Sequence, residues 1–194
     1  TAQLRTLPKD PLDSKILKTY TIALGKKKGD KQVEGDLKTP EGIYFTLPHI
    51  TKESLLQSKY GDLAVPTNYP NLYDRYLNKT GYGIWVHGAG DDKRMLEKYT
   101  TEGCVIFHNN TILKLKKWLI PNQSLVVITD NIKTINQEQD LKAVQERLTR
   151  WFESYRQQTN HQTSDLYHED FVYNGTSSNK LSHKQSLIPI EITH

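Results

Sequence analysis

The sequence predicts a β-rich α+β domain with a helical segment appended on its C-terminal side. Short runs of β-branched and aromatic residues recur as far as about Asp130, most of them bounded by Gly or Pro. Only two stretches in that region have the pattern of a helix. Beyond Asp130 the composition turns polar, and Leu141, Val144, Leu148, Trp151, Phe152 and Tyr155 then recur at helical spacing, which marks one apolar helix face.

Taken in order, residues 1–17 read as an N-terminal extension. Lys18 to Leu24 alternates and stops at Gly25, a strand ending in a turn. Residues 29–40 are rich in turn formers, including Gly35-Asp36 and Thr39-Pro40. Thr39-Pro40-Glu41-Gly42 reads as a structural turn leading into a strand, Gly42 to Leu47, that Pro48 closes. Thr51 to Asn78 is long, polar and aromatic. Its length and poor periodicity predict an irregular lid carrying Tyr69, Tyr73, Arg75 and Tyr76. Gly83 to His87 is a strongly apolar strand. Asp91 to Tyr99 reads as a short helix capped by Asp91 or Asp92, and Gly103 to Phe107 as a short strand. Asn109 or Asn110 is expected to cap a helix over Thr111 to Leu119, ended by Pro121-Asn122, before a buried strand Leu125 to Ile128. Residues 18–130 thus form the predicted domain, 131–140 a linker, and 141–194 a C-terminal helix and tail.

At 194 residues, 36% of them hydrophobic, the chain can bury a real core and is not disordered by composition. A net charge of +4 and a pI near 9.0 permit attraction to an anionic polymer. The basic residues are scattered, however. The densest run, Lys26-Lys27-Lys28 beside Gly29 and Asp30, reads as a solvated turn, so a nucleic-acid partner is not expected. One cysteine excludes an internal disulfide framework and a multi-cysteine zinc site. No run approaches the roughly 18–20 apolar residues of a membrane span. The start, Thr1-Ala2-Gln3-Leu4-Arg5, has neither an apolar h-region nor an initiator Met and reads as a trimmed mature form.

The single cysteine is the most informative residue. Cys104 lies in Thr101-Glu102-Gly103-Cys104-Val105-Ile106, downstream of Ile84-Trp85-Val86-His87-Gly88. A lone cysteine is more often a small packed residue than a nucleophile. Here it follows a glycine that allows a tight turn, whose amides can face a developing oxyanion. His87 ends an apolar strand, where a base carried by the strand would sit and could hold the thiol as thiolate. His108 is nearer in sequence, but four residues of extended strand put it roughly 13 Å from Cys104. His49, His161, His168, His183 and His194 lack metal-ligand spacing, and the loose group of His161, Asp165 and His168 reads as surface. No metal or organic cofactor is expected.

Three ordered blocks within residues 18–130 resemble the L,D-transpeptidase (YkuD-type) catalytic domain of bacterial cell-wall enzymes. The first is Gly35-Asp36-Leu37-Lys38-Thr39-Pro40-Glu41-Gly42-Ile43-Tyr44. The second joins Tyr69-Pro70-Asn71 and Asp74 to Gly83-Ile84-Trp85-Val86-His87-Gly88. The third is Thr101-Glu102-Gly103-Cys104, the Ser/Thr-x-Gly-Cys nucleophile motif. The resemblance implies an L,D-transpeptidase-type fold, with Cys104 as nucleophile, His87 as base and the Gly88 carbonyl as the group that orients the imidazole. Amides around Glu102, Gly103 and Cys104 would form the oxyanion site, with Thr101 supporting the turn. Tyr69, Tyr73, Arg75 and Asn109 are expected to contact substrate. Two positions depart from many relatives: Glu102 replaces a His, and Ile106 replaces an Arg.

The implied activity is peptidoglycan L,D-transpeptidation. A tetrapeptide stem acylates the cysteine, D-alanine leaves, and an amine takes the acyl group. With water as acceptor the enzyme is instead an L,D-carboxypeptidase that trims the stem to a tripeptide. A wall-binding module without turnover is the alternative from another class, opposed by the intact His-Gly and Gly-Cys pairs. The implied partner is the peptidoglycan stem, and the implied location is the periplasm or cell envelope, after export. The segment from Leu141 resembles the start of a nuclear-transport-factor-2-like domain, which some cell-wall L,D-carboxypeptidases carry. A simple packed helix fits its sequence equally well.

Overall fold

A computed structural model describes residues 3–6, 18–130, 137–157, 172–173 and 176–177. The chain divides into two units, Thr1–Ile132 and Lys133–His194. The first is β-rich with short helices, the α+β class expected.

Its strands are β1 (Gln3–Thr6), β2 (Lys18–Thr21), β3 (Leu24–Gly25), β4 (Gly42–Phe45), β5 (Ile50–Thr51), β6 (Leu63–Pro66), β7 (Trp85–Gly88), β8 (Tyr99–Thr101), β9 (Val105–Phe107) and β10 (Leu125–Ile128). The four-stranded sheet has the order β5-β6-β7-β9, with β5, β6 and β7 antiparallel in turn and β7 parallel to β9. A parallel pair needs a crossover. Here a 3-10 turn, Asp92–Leu96, and β8 supply it. β8 pairs in parallel with β3, and Ala23 exchanges backbone hydrogen bonds with Ile106 (3.1 and 2.9 Å), which ties that pair to the edge of β9.

Strand alternation gives the sheet two unlike faces. Leu63, Val65, Val86, Val105 and Phe107 join Ile112, Leu115, Leu119 and Val126 in one apolar core. The helix α3 (Asn109–Leu115) supplies Ile112 and Leu115. The opposite face carries Ala64, His87 and Ile106 in register, with Ala23 and Ala89 beside Ile106. Of these residues, His87 lines the cavity described below.

Charged hubs fix the loop over residues 29–40. The Asp36 carboxylate accepts from Lys31 Nζ at 2.8 Å and from the N–H groups of Gln32, Val33 and Lys38 at 2.7–3.1 Å. Burial by itself would raise its pKa, but Lys31 and these amides outweigh that and hold it well below the usual carboxylate range. Lys79, also buried, bridges Asp30 at 2.7 Å and Asp74 at 3.4 Å. Thr39 Oγ1 accepts from Gly25 N–H at 2.9 Å, which anchors the turn before β4 to the end of β3.

Several expectations change. The stretch 51–78, read as an irregular lid, is mostly ordered: it contains β6, a short helix α1 (Gln57–Tyr60) and α2 (Leu72–Tyr76). β6 is only four residues long, between Asp62 and Thr67, too brief to show a period. α2 is closed by a capping box, in which Asn71 and Asp74 each accept the other's backbone N–H. The run read as one strand from Lys18 to Leu24 is broken into β2, an isolated bridge at Ala23, and β3. Residues 3–6 pair with β2, so this part of the presumed extension is a strand of the first unit. α3 starts two residues early, with His108 at the N-cap and no side-chain cap bond, and passes into a 3-10 turn, Lys116–Trp118.

In the second unit, α4 runs Gln137–Arg156 and begins inside the expected linker. Val144, Leu148 and Phe152 of its apolar stripe are exposed. Two further strands, β11 (Val172–Tyr173) and β12 (Thr176–Ser177), form an antiparallel pair. The expected aromatic segment at Asp165 to Tyr167, the His161–His168 group, His183 and His194 lie outside the described residues.

Leu63 is 1% exposed and sits in the core on the strand the sequence concealed. Leu63→Ala should lower unfolding stability by about 2–5 kcal/mol, read by denaturant titration. A loss under about 0.5 kcal/mol would place β6 outside the cooperative core.

Candidate active site

The pairing of β7 with β9 brings the two candidate side chains, Cys104 and His87, together. His87 lies opposite Ile106 in the parallel register, and Cys104 is two residues before Ile106. Side chains two apart share a face, so Cys104 and His87 are diagonal neighbours, roughly 8 Å apart along the backbones. Both line one cavity of about 670 Å³. Its walls also include Lys26, Glu34, Lys59, Tyr60, Tyr82, Arg94 and Glu102.

His87 is 1% exposed. Its Nδ1 lies 2.6 Å from the Gly88 carbonyl. A carbonyl only accepts, so Nδ1 carries the proton and Nε2 the basic lone pair. The Tyr60 ring meets the imidazole edge-on at 5.0 Å. Burial pushes the His87 pKa down to about 4; the backbone bonds at Gly88 and Tyr60 oppose this, and the charges of Arg94 and Lys59 add to it.

Cys104 is half-buried, and its Sγ–H donates to the Gly83 carbonyl at 3.4 Å. Burial raises its pKa; hydrogen bonding at Trp85 and the charges of Lys59 and Arg94 oppose that rise, and Glu102 adds to it. Burial thus favours a neutral thiol and a neutral imidazole at rest. Desolvation penalises both charged forms, so it works against an imidazole-held thiolate before substrate binds.

The turn before Cys104 is held by Thr101. Its Oγ1 accepts from Gly103 N–H at 3.1 Å and donates to the Cys104 carbonyl at 2.8 Å. The Gly103 amide is thus occupied by Thr101, which narrows the expected oxyanion donors to Glu102 and Cys104. Gly103 has φ +133°, and a Cβ there would stand 2.7 Å from the Lys38 carbonyl and 2.8 Å from Ile84 Cδ1. Only glycine fits without displacing the backbone of the 29–40 loop.

The expected substrate contacts fall elsewhere. Tyr69 is buried; its ring packs edge-on against Tyr44 at 5.8 Å and its hydroxyl donates to the Thr80 carbonyl at 3.0 Å. Tyr73 and Arg75 are exposed on α2, and Tyr73 stacks on Tyr76. None of these residues lines the cavity. α2 directs its aromatics away because its capping box and buried Asp74 fix which side faces inward. Asn109 is also absent from the lining. It grips Gly90 through both amide atoms, accepting from its N–H at 3.1 Å and donating to its carbonyl at 2.9 Å. It braces the chain behind His87: a Cβ on Gly88 would come within 2.6 Å of its Oδ1. His108 is exposed, 3.5 Å from Asp92, and does not line the cavity.

Tyr60, Tyr82, Lys59 and Arg94 were not legible as site residues. They come from short helical turns and loops with no motif of their own. Among the described residues no three His, Cys, Asp or Glu side chains are grouped to hold a metal ion, and no described helix is long and apolar enough to cross a membrane.

The YkuD family, described as the L,D-transpeptidase catalytic domain, matches residues 11–128. Two solved structures are similar to this chain. Bd1075 of Bdellovibrio bacteriovorus is 33% identical with a TM-score of 0.63; the match covers 85% of this chain and 58% of that one. The helical cell shape determining protein Pgp2 of Campylobacter jejuni is 28% identical with a TM-score of 0.64, covering 81% of this chain and 55% of that one. This chain therefore spans little more than half the length of either. No protein with a curated description matches.

Two measurements check this geometry. Gly103→Ala should cost about 1–3 kcal/mol of stability, since it forces a left-handed backbone and a clash at once; wild-type stability would show that the turn relaxes freely. The buried imidazole should also couple folding to pH. The unfolded chain takes up this proton near pH 6.5, the folded protein only near 4. Stability held by neutral His87 is therefore complete above about pH 6.5 and is lost as pH falls towards 4, by about 3 kcal/mol in all. Denaturant midpoints across that window should fall more steeply for the wild type than for His87→Gln, and parallel curves would count against a buried, neutral imidazole.

Proposed function

The chain belongs to the L,D-transpeptidase catalytic-domain family, and from that premise we propose that it removes the terminal D-alanine of peptidoglycan tetrapeptide stems through a thioester on Cys104. The observation that carries this is the β7–β9 register, which sets Cys104 and His87 on one sheet face and in one cavity. A cavity of about 670 Å³ is of the size that encloses a single peptide end.

The steps follow from the resting protonation states. The neutral thiol passes its proton to His87 Nε2 as sulfur attacks the carbonyl preceding D-alanine, so charge forms only when substrate is in place. The Gly88 carbonyl accepts from Nδ1–H and stabilises the imidazolium as it forms. Amides of Glu102 and Cys104 receive the oxyanion, on a turn that Thr101 holds rigid. The carbon–nitrogen bond breaks, His87 returns its proton to the departing amine, and the acyl group remains on sulfur. Water then attacks the thioester, giving a proton to His87, which restores it to the leaving thiolate.

Water is favoured over an amine by the charge of the cavity. Lys26, Lys59 and Arg94 line it without an ion pair among the described residues, against the carboxylates Glu34 and Glu102. An acceptor arriving as a cationic diamino acid meets this excess of positive charge, although Glu102 offers it one attractive contact. The reading is thus an L,D-carboxypeptidase, with cross-linking as the second outcome. Its place would be the periplasm or cell envelope, where the stems are. The similar Pgp2 is a cell shape determinant, which fits a wall-trimming role.

Incubation with a disaccharide tetrapeptide should yield tripeptide and free D-alanine across a donor titration, with Cys104→Ala losing all turnover while staying folded. D-alanine release by Cys104→Ala at the wild-type rate would dismiss the thioester. A tetrapeptide–tripeptide dimer as the main product would make the protein a transpeptidase instead.

A further inference from the structure

The cavity carries cations that acyl transfer itself does not use. Arg94 stands on the 3-10 turn Asp92–Leu96, and its Nη1 donates to the carbonyls of Lys59 and Ala89, both at 2.7 Å. Those carbonyls flank the imidazole. Lys59 precedes Tyr60, whose ring contacts His87 at 5.0 Å, and Ala89 follows the Gly88 that orients it. Both bonds leave from Nη1, so Nη2 and Nε make no hydrogen bond among the described residues. Lys59 is exposed, 5.4 Å over the Tyr60 ring, and has no ion pair among those residues. Lys31, in the same wall, differs: Asp36 neutralises it at 2.8 Å. Arg94 and Lys59 line the same cavity as His87 and Cys104.

The chemistry says what belongs beside them. The departing amine must lie on the His87 side of the scissile bond to receive its proton. If it leaves as a free amino acid, its carboxylate is one carbon away from that amine. We propose that Arg94 and Lys59 form the recognition site for this α-carboxylate and so restrict the enzyme to stems with one residue beyond the scissile bond. The proposal rests on the acyl-transfer reading above. Arg94 presents Nη2 and Nε as a planar fork suited to a carboxylate, and Lys59 adds a flexible point charge.

The test compares a tetrapeptide ending in a free carboxylate with the same peptide as its C-terminal carboxamide. For the wild type, kcat/KM for the acid should exceed that for the amide by about 10–100-fold, mostly through KM. Arg94→Gln should shrink that ratio to within about threefold of one, and Lys59→Gln should shrink it too. Among the described residues the Lys59 side chain bonds no carbonyl, so its variant reads the charge even if Arg94→Gln loosens the loop. Equal use of acid and amide by the wild type, or variants that lose both substrates in proportion, would overturn the proposal and leave Arg94 a structural clasp. If neither peptide is cleaved and no acyl adduct forms on Cys104, the acyl-transfer reading fails, and this proposal with it.

Discussion

The parallel pairing of β7 with β9 is the constraint on which the rest of the molecule depends. In that register Val86 meets Val105 on the core face, while His87 meets Ile106 on the other. A slip of one residue would exchange the faces, burying the imidazole in the aliphatic core and turning Val86 and Val105 outward. The core side resists this strongly, because Leu63, Val65, Val86, Val105 and Phe107 are all within a few per cent of full burial. Hydrophobic burial therefore sets the placement of His87 relative to Cys104, though none of those residues lines the cavity.

Behind the imidazole the fit is close. Gly61, Gly88 and Asn109 meet so tightly that no side chain can be added at either glycine. The Asn109 amide pairs with Gly90, and Arg94 pins the Lys59 and Ala89 carbonyls. Asn109 and Arg94 thus both hold the 89–90 segment that follows His87 and Gly88. Its low pKa and the raised pKa of Cys104 share a first cause, desolvation. A site dry enough to strengthen a transient ion pair with substrate is also one that refuses a permanent pair without it.

The wall that the 29–40 loop contributes is built differently. The 29–40 loop has little regular structure and is organised by carboxylates: Asp36 gathers one lysine and three amides, and Lys79 joins Asp30 to Asp74. Its Lys38 carbonyl packs where a Cβ of Gly103 would be. Loop and nucleophile turn therefore position each other. The Gly-Asp-x-x-Thr-Pro block and the Thr-x-Gly-Cys motif, far apart in sequence, are two halves of one wall.

The sequence by itself determined the α+β class, the strands at 42–45, 85–88, 105–107 and 125–128, the amphipathic α4, and the pair of Cys104 with His87. These are local signals: runs of β-branched residues, helical period, and a glycine before a nucleophile. Tertiary structure alone decided that Leu63–Pro66 is a central strand, that Tyr69 belongs to the core, that Asn109 is a brace, and that Arg94 and Lys59 line the cavity. A four-residue strand has no period to read, and an aromatic or amide side chain looks the same in sequence whether it packs, braces or binds. The resting charge of the pair was equally hidden. It depends on how much water the folded walls exclude, and those walls come from segments scattered between Lys26 and Cys104.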